Sequence, residues 1–350
     1  MARPTQLDAS LLAKVQLEVE KLIVSKWTVA PRNAPGYAEC VAAMNSGTLG
    51  GCCRLGGSTL VGKNDTGRAE ILASLVRLAF HDAAPFNVAD GKGAPNGCID
   101  FNDADNSGLE TVVQQLLALQ TLLNATYNLS ISLADLYQYA ALCAVWCALP
   151  ALPTGSSTTV MSLPFKWGRT DASSCDHKED SGRLPDSEKA FGELHSLAQR
   201  WGMNMKDIAA LSGAHALGGT KANQSGYSTP KRECGVGNCG GGNLTGQWNP
   251  NNALLNAQQY YALLLKFIWR RQTTTHTNGI VRHSFASDGI IVKQTLMLNT
   301  VSDCSSSRMP VRPRAACLSR TVHQYPVTAF WNAVQIIYRS SSMRAQTRRS

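Results

Sequence analysis

No stretch of this sequence stays apolar long enough to cross a membrane. The most apolar one, LYQYAALCAVWCALPALP (136–153), is interrupted by Gln138 and ends in prolines, so it reads as a buried helix. The opening MARPTQLDASLLAKV lacks the continuous apolar core and the cleavage site of a signal peptide, which leaves a mature form or an intracellular protein. No Lys/Arg block is interleaved with aromatic residues. The formal net charge of +9 is therefore read as solubility and steering, and no nucleic-acid partner is expected. There is no internal repeat and no convincing β alternation. What remains is a chain of 350 residues, 44% hydrophobic, long enough for one large globular unit or two lobes around a substantial core.

Helical periodicity fills that chain. An amphipathic helix is expected over 7–26, capped by Asp8 or Ser10, followed by a Gly/Cys-rich loop at 46–66 and a helix carrying Arg77 and His81. Residues 83–107 read as loop, and helices are expected at 108–123 and 132–149. A Pro/Ser/Asp-rich stretch (150–187) is a hinge between lobes. Helices follow at 187–202, 205–217, 254–269 and about 326–338, with a Gly-rich loop at 233–246 and a disordered basic tail at 339–350. The fold class is all-α.

Eleven cysteines (40, 52, 53, 98, 143, 147, 175, 234, 239, 304 and 317) leave at least one thiol outside any intrachain pairing. Five N-x-S/T acceptors begin at Asn64, Asn124, Asn128, Asn223 and Asn243. Together these point to an oxidising, secretory context and a secreted protein.

Two segments carry chemistry. In LVRLAFHDAAPFN (75–87), Arg77 and His81 are four residues apart on one helical face, inside an apolar run. A guanidinium there needs a partner or a site. In DIAALSGAHALGG (207–219), His215 stands among Ser212, Gly213, Ala214 and Ala216, small residues that let a planar group approach the backbone. Taken alone, His215 reads as a core histidine bonded to a carbonyl.

Taken together, RLAFHD (77–82) and ALSGAHALG (210–218) resemble the distal and proximal helices of the plant, fungal and bacterial haem peroxidase superfamily. DADNSGLE (103–110), LPFKWGRTDA (163–172), RLPD (183–186) and the helix at 248–269 resemble further segments of that family in the same order, over roughly residues 65–300. The resemblance implies about ten helices in two lobes with haem b between them. The distal, peroxide-side lobe would be 1–165, the proximal, haem-ligand lobe 166–325, and a C-terminal helix and tail 326–350. It implies hydrogen peroxide and a small, phenolic or otherwise aromatic electron donor as partners, one-electron oxidation, and a monomer.

The residue roles are carried over by position. His81 would be the general base that becomes a general acid, Arg77 the cation that keeps it neutral and stabilises the departing oxygen, and Asn106 the acceptor for one His81 ring nitrogen. The lesser reading of Asn106 is a helix N-cap for 107–123. His215 would ligate the haem iron. Phe80 would lie at the haem face, though packing explains it as well. Where the family has an aspartate after a segment like LMLNT (296–300), this chain has Val301. Asp303 is therefore the expected carboxylate for the second N–H of His215, with Asp288 a weaker candidate and no carboxylate partner at all the alternative.

Asp82 matches the first ligand of the family's distal calcium site, but Asn96 and Cys98 replace its Asp and Ser. On the proximal side, Ala216 and NPNNALLNAQ offer no ligand set. Calcium is a candidate at the distal site only. The competing readings are a haem-binding protein whose catalysis is impaired or lost and, far behind, a zinc protein using Cys143, Cys147, Cys234 and Cys239. Cys304 with Cys317 and Cys234 with Cys239 are candidate local pairs and no more, and the connectivity stays open.

Overall fold

Asp8 starts the first helix, because its carboxylate accepts the Leu11 N–H at 2.8 Å and satisfies one of the orphan donors of the first turn. In the computed structural model this helix is α1 (Ala9–Ser25), and α2 (Tyr37–Asn45) follows. The periodicity does not announce α2. Then come α3 (Thr66–Ala83), α4 (Glu110–Tyr127) and α5 (Leu133–Ala148), with single 3-10 turns at Cys52–Arg54 and Ala104–Asn106. Further on are α6 (Phe191–Trp201) and α7 (Met205–Ser212), which runs into a 3-10 turn at Gly213–Ala216. The described residues are 7–27, 37–47, 52–54, 66–149, 165–175, 183–185, 191–219, 252–255, 273–275 and 281–283. They include one short antiparallel pair, β1 (Thr273–Thr275) with β2 (Val281–His283), in register Thr274 to Arg282, where no β structure was expected. The chain divides into two compact units. The first is Met1–Pro85, Gly93–Leu184 and Asn251–Leu255; the second is Phe86–Lys92, Pro185–Pro250 and Asn256–Ser350.

Helix α5 is the axis of the first unit. It is buried on every side, as its unbroken apolar run demands, and α3 packs chiefly against it. Its N-terminus is closed by its own cap and a distant carboxylate, and its C-terminus by groups distant in sequence. At the N-terminus the Ser132 hydroxyl accepts the Asp135 N–H at 3.1 Å, and Asp171 accepts the Ala134 N–H at 2.9 Å. At the C-terminus Arg54 donates to the Trp146 carbonyl and Arg68 to that of Cys147, while the Leu255 N–H meets the Ala148 carbonyl at 2.7 Å. Arg68 is 2% exposed and lies over the Trp27 ring. A cation is tolerated there because a helix C-terminus presents unsatisfied carbonyls and negative potential. The Cys53–Cys147 disulfide joins the same end to the first 3-10 turn. In the chain-entropy picture, closing its 94-residue loop is worth about 4–5 kcal/mol.

In the second unit, Asn204 and Asp207 cap α7 reciprocally: each side chain accepts the other's N–H at 3.0 Å. Helix α6 ends at Gly202, whose φ of +66° a side chain would resist. Leu197, Ala198 and Trp201 form its buried stripe. Of the helix expected at 254–269 only residues 254 and 255 are described, and they are not helical; the helix at 326–338, the loop at 233–246 and the tail lie outside the described residues. No described helix is long and apolar enough to cross a membrane.

Candidate active site

Arg77 and His81 do share a face of α3, and both are half-buried. The loop before α4 meets them there. Arg77 donates through Nη2 to the Asp105 carbonyl (2.6 Å) and through Nη1 to that of Ser107 (3.0 Å), so its cost of burial is met by carbonyls on either side of Asn106. Asn106 is itself 7% exposed, and its Oδ1 lies 2.8 Å from His81 Nδ1. Its Nδ2 donates to the Asp100 carbonyl at 2.8 Å, which fixes the amide orientation and makes Oδ1 the acceptor. Nδ1 of His81 therefore carries the proton, and Nε2 keeps its lone pair. The N-cap reading of Asn106 does not hold: α4 is capped by Leu109, with no side-chain hydrogen bond.

The environment also sets the charge of His81. Burial, then the Arg77 cation, push its pKa down to about 3, against a smaller opposing effect of the Asn106 bond. The ring is a neutral base throughout the physiological range. Phe80 meets it edge-on at 5.8 Å, a packing contact within the helix. A small cavity of about 30 Å³, room for about two waters, is lined by His81, Asn106, Asp82, Asp100 and Asp103 among others.

Asp82 turns the other way, into the protein. Its Oδ1 accepts the Asn96 and Gly97 N–H groups, each at 3.0 Å, and its Oδ2 accepts Gln138 Nε2 at 3.2 Å. Burial raises its pKa to about 7, despite these bonds and the Arg169 charge. Cys98 is joined to Cys175 in a disulfide. Calcium needs six to eight oxygen ligands. Here three N–H donors crowd the one carboxylate, the sulfur is committed, and no cluster of three or more His, Cys, Asp or Glu among the described residues could hold a metal. The donor set does not fit calcium, because Asp82 serves as a hydrogen-bond hub.

That hub ties the Asn106 loop to two neighbours. Gln138 reaches from α5 to both Asp82 and the Ala79 carbonyl. Residues 165–175 dock through Asp135: Oδ2 accepts the Gly168 and Arg169 N–H groups (2.7 and 3.2 Å), and Oδ1 pairs with Arg169 Nη1 at 2.7 Å. Gly97, at φ +72°, sits where a Cβ would come within 2.6 Å of Ala134 N and 2.7 Å of Asp171 Oδ1. Only glycine fits that crossing. Motif reasoning marks Gly168, Arg169 and Asp171 but misses Asp135, which holds the first two, as well as Gln138 and Gly97. The signal for Gln138 and Asp135 was a polar residue in an otherwise apolar helix.

His215 belongs to the second unit and stands in the 3-10 turn after α7. Its Nδ1–H donates to the Ser212 carbonyl at 3.1 Å, leaving the Nε2 lone pair available. The bond is the one a core histidine makes, but the ring is exposed. Surrounding protein nonetheless lowers its pKa, more than the Ser212 bond raises it. An accessible ring nitrogen with a lowered pKa suits a ligand. Asp303, Asp288 and Val301 lie outside the described residues, as do Cys234, Cys239, Cys304 and Cys317.

A family model described as Peroxidase matches residues 60–307. The chain is similar to Probable L-ascorbate peroxidase 3, peroxisomal, of Oryza sativa subsp. japonica, with 34% identity over 157 residues, 44% of this chain and 48% of that protein. It is similar to a Putative heme-binding peroxidase of Pyricularia oryzae, 28% identical over 245 residues and 69% of each chain. A Putative cytochrome c peroxidase, mitochondrial, of Yarrowia lipolytica is 28% identical over 214 residues, 60% of this chain and 63% of that protein. The chain thus spans about half the length of the first of these curated relatives. The compartments in these names are peroxisome and mitochondrion, and none supports the secretory expectation.

Proposed function

This chain belongs to the peroxidase family, and from that premise we propose that it is a haem peroxidase that reduces hydrogen peroxide at the expense of a small electron donor. The observation that carries the reading is the His81 geometry: a ring held neutral, with Nδ1–H on Asn106 and Nε2 free. A histidine prepared in this way does one thing well. Nε2 takes a proton from one peroxide oxygen and returns it to the other as the O–O bond breaks, a general base turned general acid worth about 10²–10⁴-fold. Arg77, pinned by the Asp105 and Ser107 carbonyls, lies one turn away on the same face and stabilises the negative charge of the departing oxygen.

The haem fits the residues that would hold it. His215 Nε2 is accessible and oriented by its own turn, and would be the nitrogen that holds the haem iron. Bound there, the haem would supply the iron at which peroxide is activated and electrons are collected from the donor. We take the donor to be small and oxidisable in one-electron steps; the resemblance implies an aromatic donor, and the name of the rice relative supports ascorbate as an alternative.

His81→Leu tests the reading. Haem binding should persist, shown by the Soret band, while the stopped-flow reaction with peroxide slows by about 10²–10⁴-fold. A variant as fast as the parent would remove His81 from the reaction. Because His81 stays neutral down to about pH 3, the parent's peroxide step should remain flat with pH from 8 to about 4; an acid limb near the ordinary histidine value would contradict the assignment.

A further inference from the structure

Three oxidisable side chains lie together in the first unit and play no part in the chemistry above. Tyr139 on α5 is 1% exposed, and Cys143, one turn on, is a fully buried free thiol. Residues four apart on a helix lie one above the other, so phenol and thiol share a face. The Tyr139 ring lies 5.0 Å from that of Trp167, itself 8% exposed, and 5.3 Å from Phe165; Phe165 and Trp167 are 4.6 Å apart. Packing alone would be served as well by phenylalanine, because the Tyr139 hydroxyl is buried without a well-aligned hydrogen bond and such a group costs stability. Its polar neighbour is the Cys143 thiol, and buried Glu20 of α1 acts electrostatically on both.

The helix turn that bears Tyr139 also adjoins α3 beside the proposed site. Gln138, next to Tyr139, donates to the Ala79 carbonyl and to Asp82 Oδ2. This turn of α5 therefore touches the turn of α3 that bears Phe80 and His81, at a helix spacing of roughly 8–10 Å.

We propose that Trp167, Tyr139 and Cys143 form an internal electron relay that supplies the enzyme's oxidised site when no external donor is present. The inference rests on the haem peroxidase reading. Peroxide is the oxidant: it accepts two electrons and two protons and leaves as water. One of those electrons would come from the haem, and the other comes from Tyr139 through the Trp167 ring. The phenol loses its proton to the Glu20 carboxylate at the same time, which leaves a neutral tyrosyl radical. Cys143 then passes a hydrogen atom to that radical, restoring the phenol and becoming a thiyl. An electron from a later donor molecule, with the proton held on Glu20, restores the thiol. Nothing is consumed but donor and peroxide.

The test is one equivalent of peroxide added to the haem-loaded enzyme without donor, followed by rapid freezing. Absorption reports whether the haem site is oxidised, and electron paramagnetic resonance reports the radical. The parent should give a tyrosyl signal that Tyr139→Phe abolishes, that outlives the parent's severalfold in Cys143→Ala, and that forms about tenfold more slowly in Trp167→Phe. Tyr139→Phe removes only a hydroxyl without a good bond, so it should fold. An unchanged signal in Tyr139→Phe, or equally fast formation in Trp167→Phe, overturns the relay. If the haem absorption itself ignores peroxide, the peroxidase reading fails instead. The same variants are then oxidised photochemically with a ruthenium tris-bipyridyl complex and persulfate, where a tyrosyl signal that needs Tyr139 supports the relay and one that does not refutes it.

Discussion

The two histidines are oriented by different means. His81 takes its bearing from Asn106, 25 residues away, whose own amide is set by the Asp100 carbonyl and whose loop is fastened to α3 by Arg77 and Asp82. His215 takes its bearing from the carbonyl three residues back in its own turn. A ring that must act as a base needs its tautomer and charge controlled, which requires a polar side chain, a cation and exclusion of water brought from separate segments. A ring that must act as a ligand needs one accessible lone pair, which a local bond provides. The difference predicts where each site breaks.

The largest effect should come from His215→Ala, which removes the accessible nitrogen and should abolish haem retention, read from the Soret band after gel filtration. Normal haem content would sink the ligand assignment. Next is Arg77→Leu, expected to slow the peroxide reaction by about 10²–10³-fold. Without the nearby cation the His81 pKa should also rise, so the acid limb of the rate profile moves to higher pH. A slower reaction with an unmoved limb would restrict Arg77 to stabilising the departing oxygen.

Asn106→Leu leaves His81 Nδ1–H and the Asp100 carbonyl without the amide between them. It should lower stability by about 1–3 kcal/mol in denaturant titration and slow the peroxide step about tenfold. A smaller effect is expected from Asp82→Asn. Asp82 is raised to about 7, so in the folded state it keeps a proton that the unfolded chain releases, and its contribution to stability falls as pH rises from about 4 to 7. His81, lowered to about 3, contributes in the opposite sense over an overlapping window. Removing the Asp82 titration should make stability climb more steeply between pH 4 and 7, measured by denaturant midpoints of the haem-free protein; an unchanged slope would deny Asp82 its raised pKa. The smallest effect should come from Asp303→Asn. With the His215 N–H on the Ser212 carbonyl, the iron reduction potential should not move, and a raised potential would show that Asp303 takes that N–H over.

Much of this was legible beforehand. Helices α1, α4 and α5 lie within a few residues of their expected spans, since each carries a long apolar pattern and α1 and α5 a side-chain cap as well. The pairing of Arg77 with His81 follows from helix geometry alone. Helix α2 and the β1–β2 pair were not legible, because short elements lack a pattern long enough to register. Calcium at Asp82 was an expectation from one ligand. The structure replaces it with three N–H donors and a disulfide, because the residues that would complete the site are here an amide and a sulfur.

Sequence by itself determined the all-α class, the face shared by Arg77 and His81, the glycine and small residues around His215, and the family, since these depend on spacing along one chain. Tertiary structure alone decided that Asn106 is an acceptor rather than a cap, that His81 is neutral, and that Asp135, Gln138 and Gly97 hold the surrounding loops. It also placed Trp167 against Tyr139. Each of those depends on what a group is buried against and which donor faces it, and both are settled by segments tens of residues away.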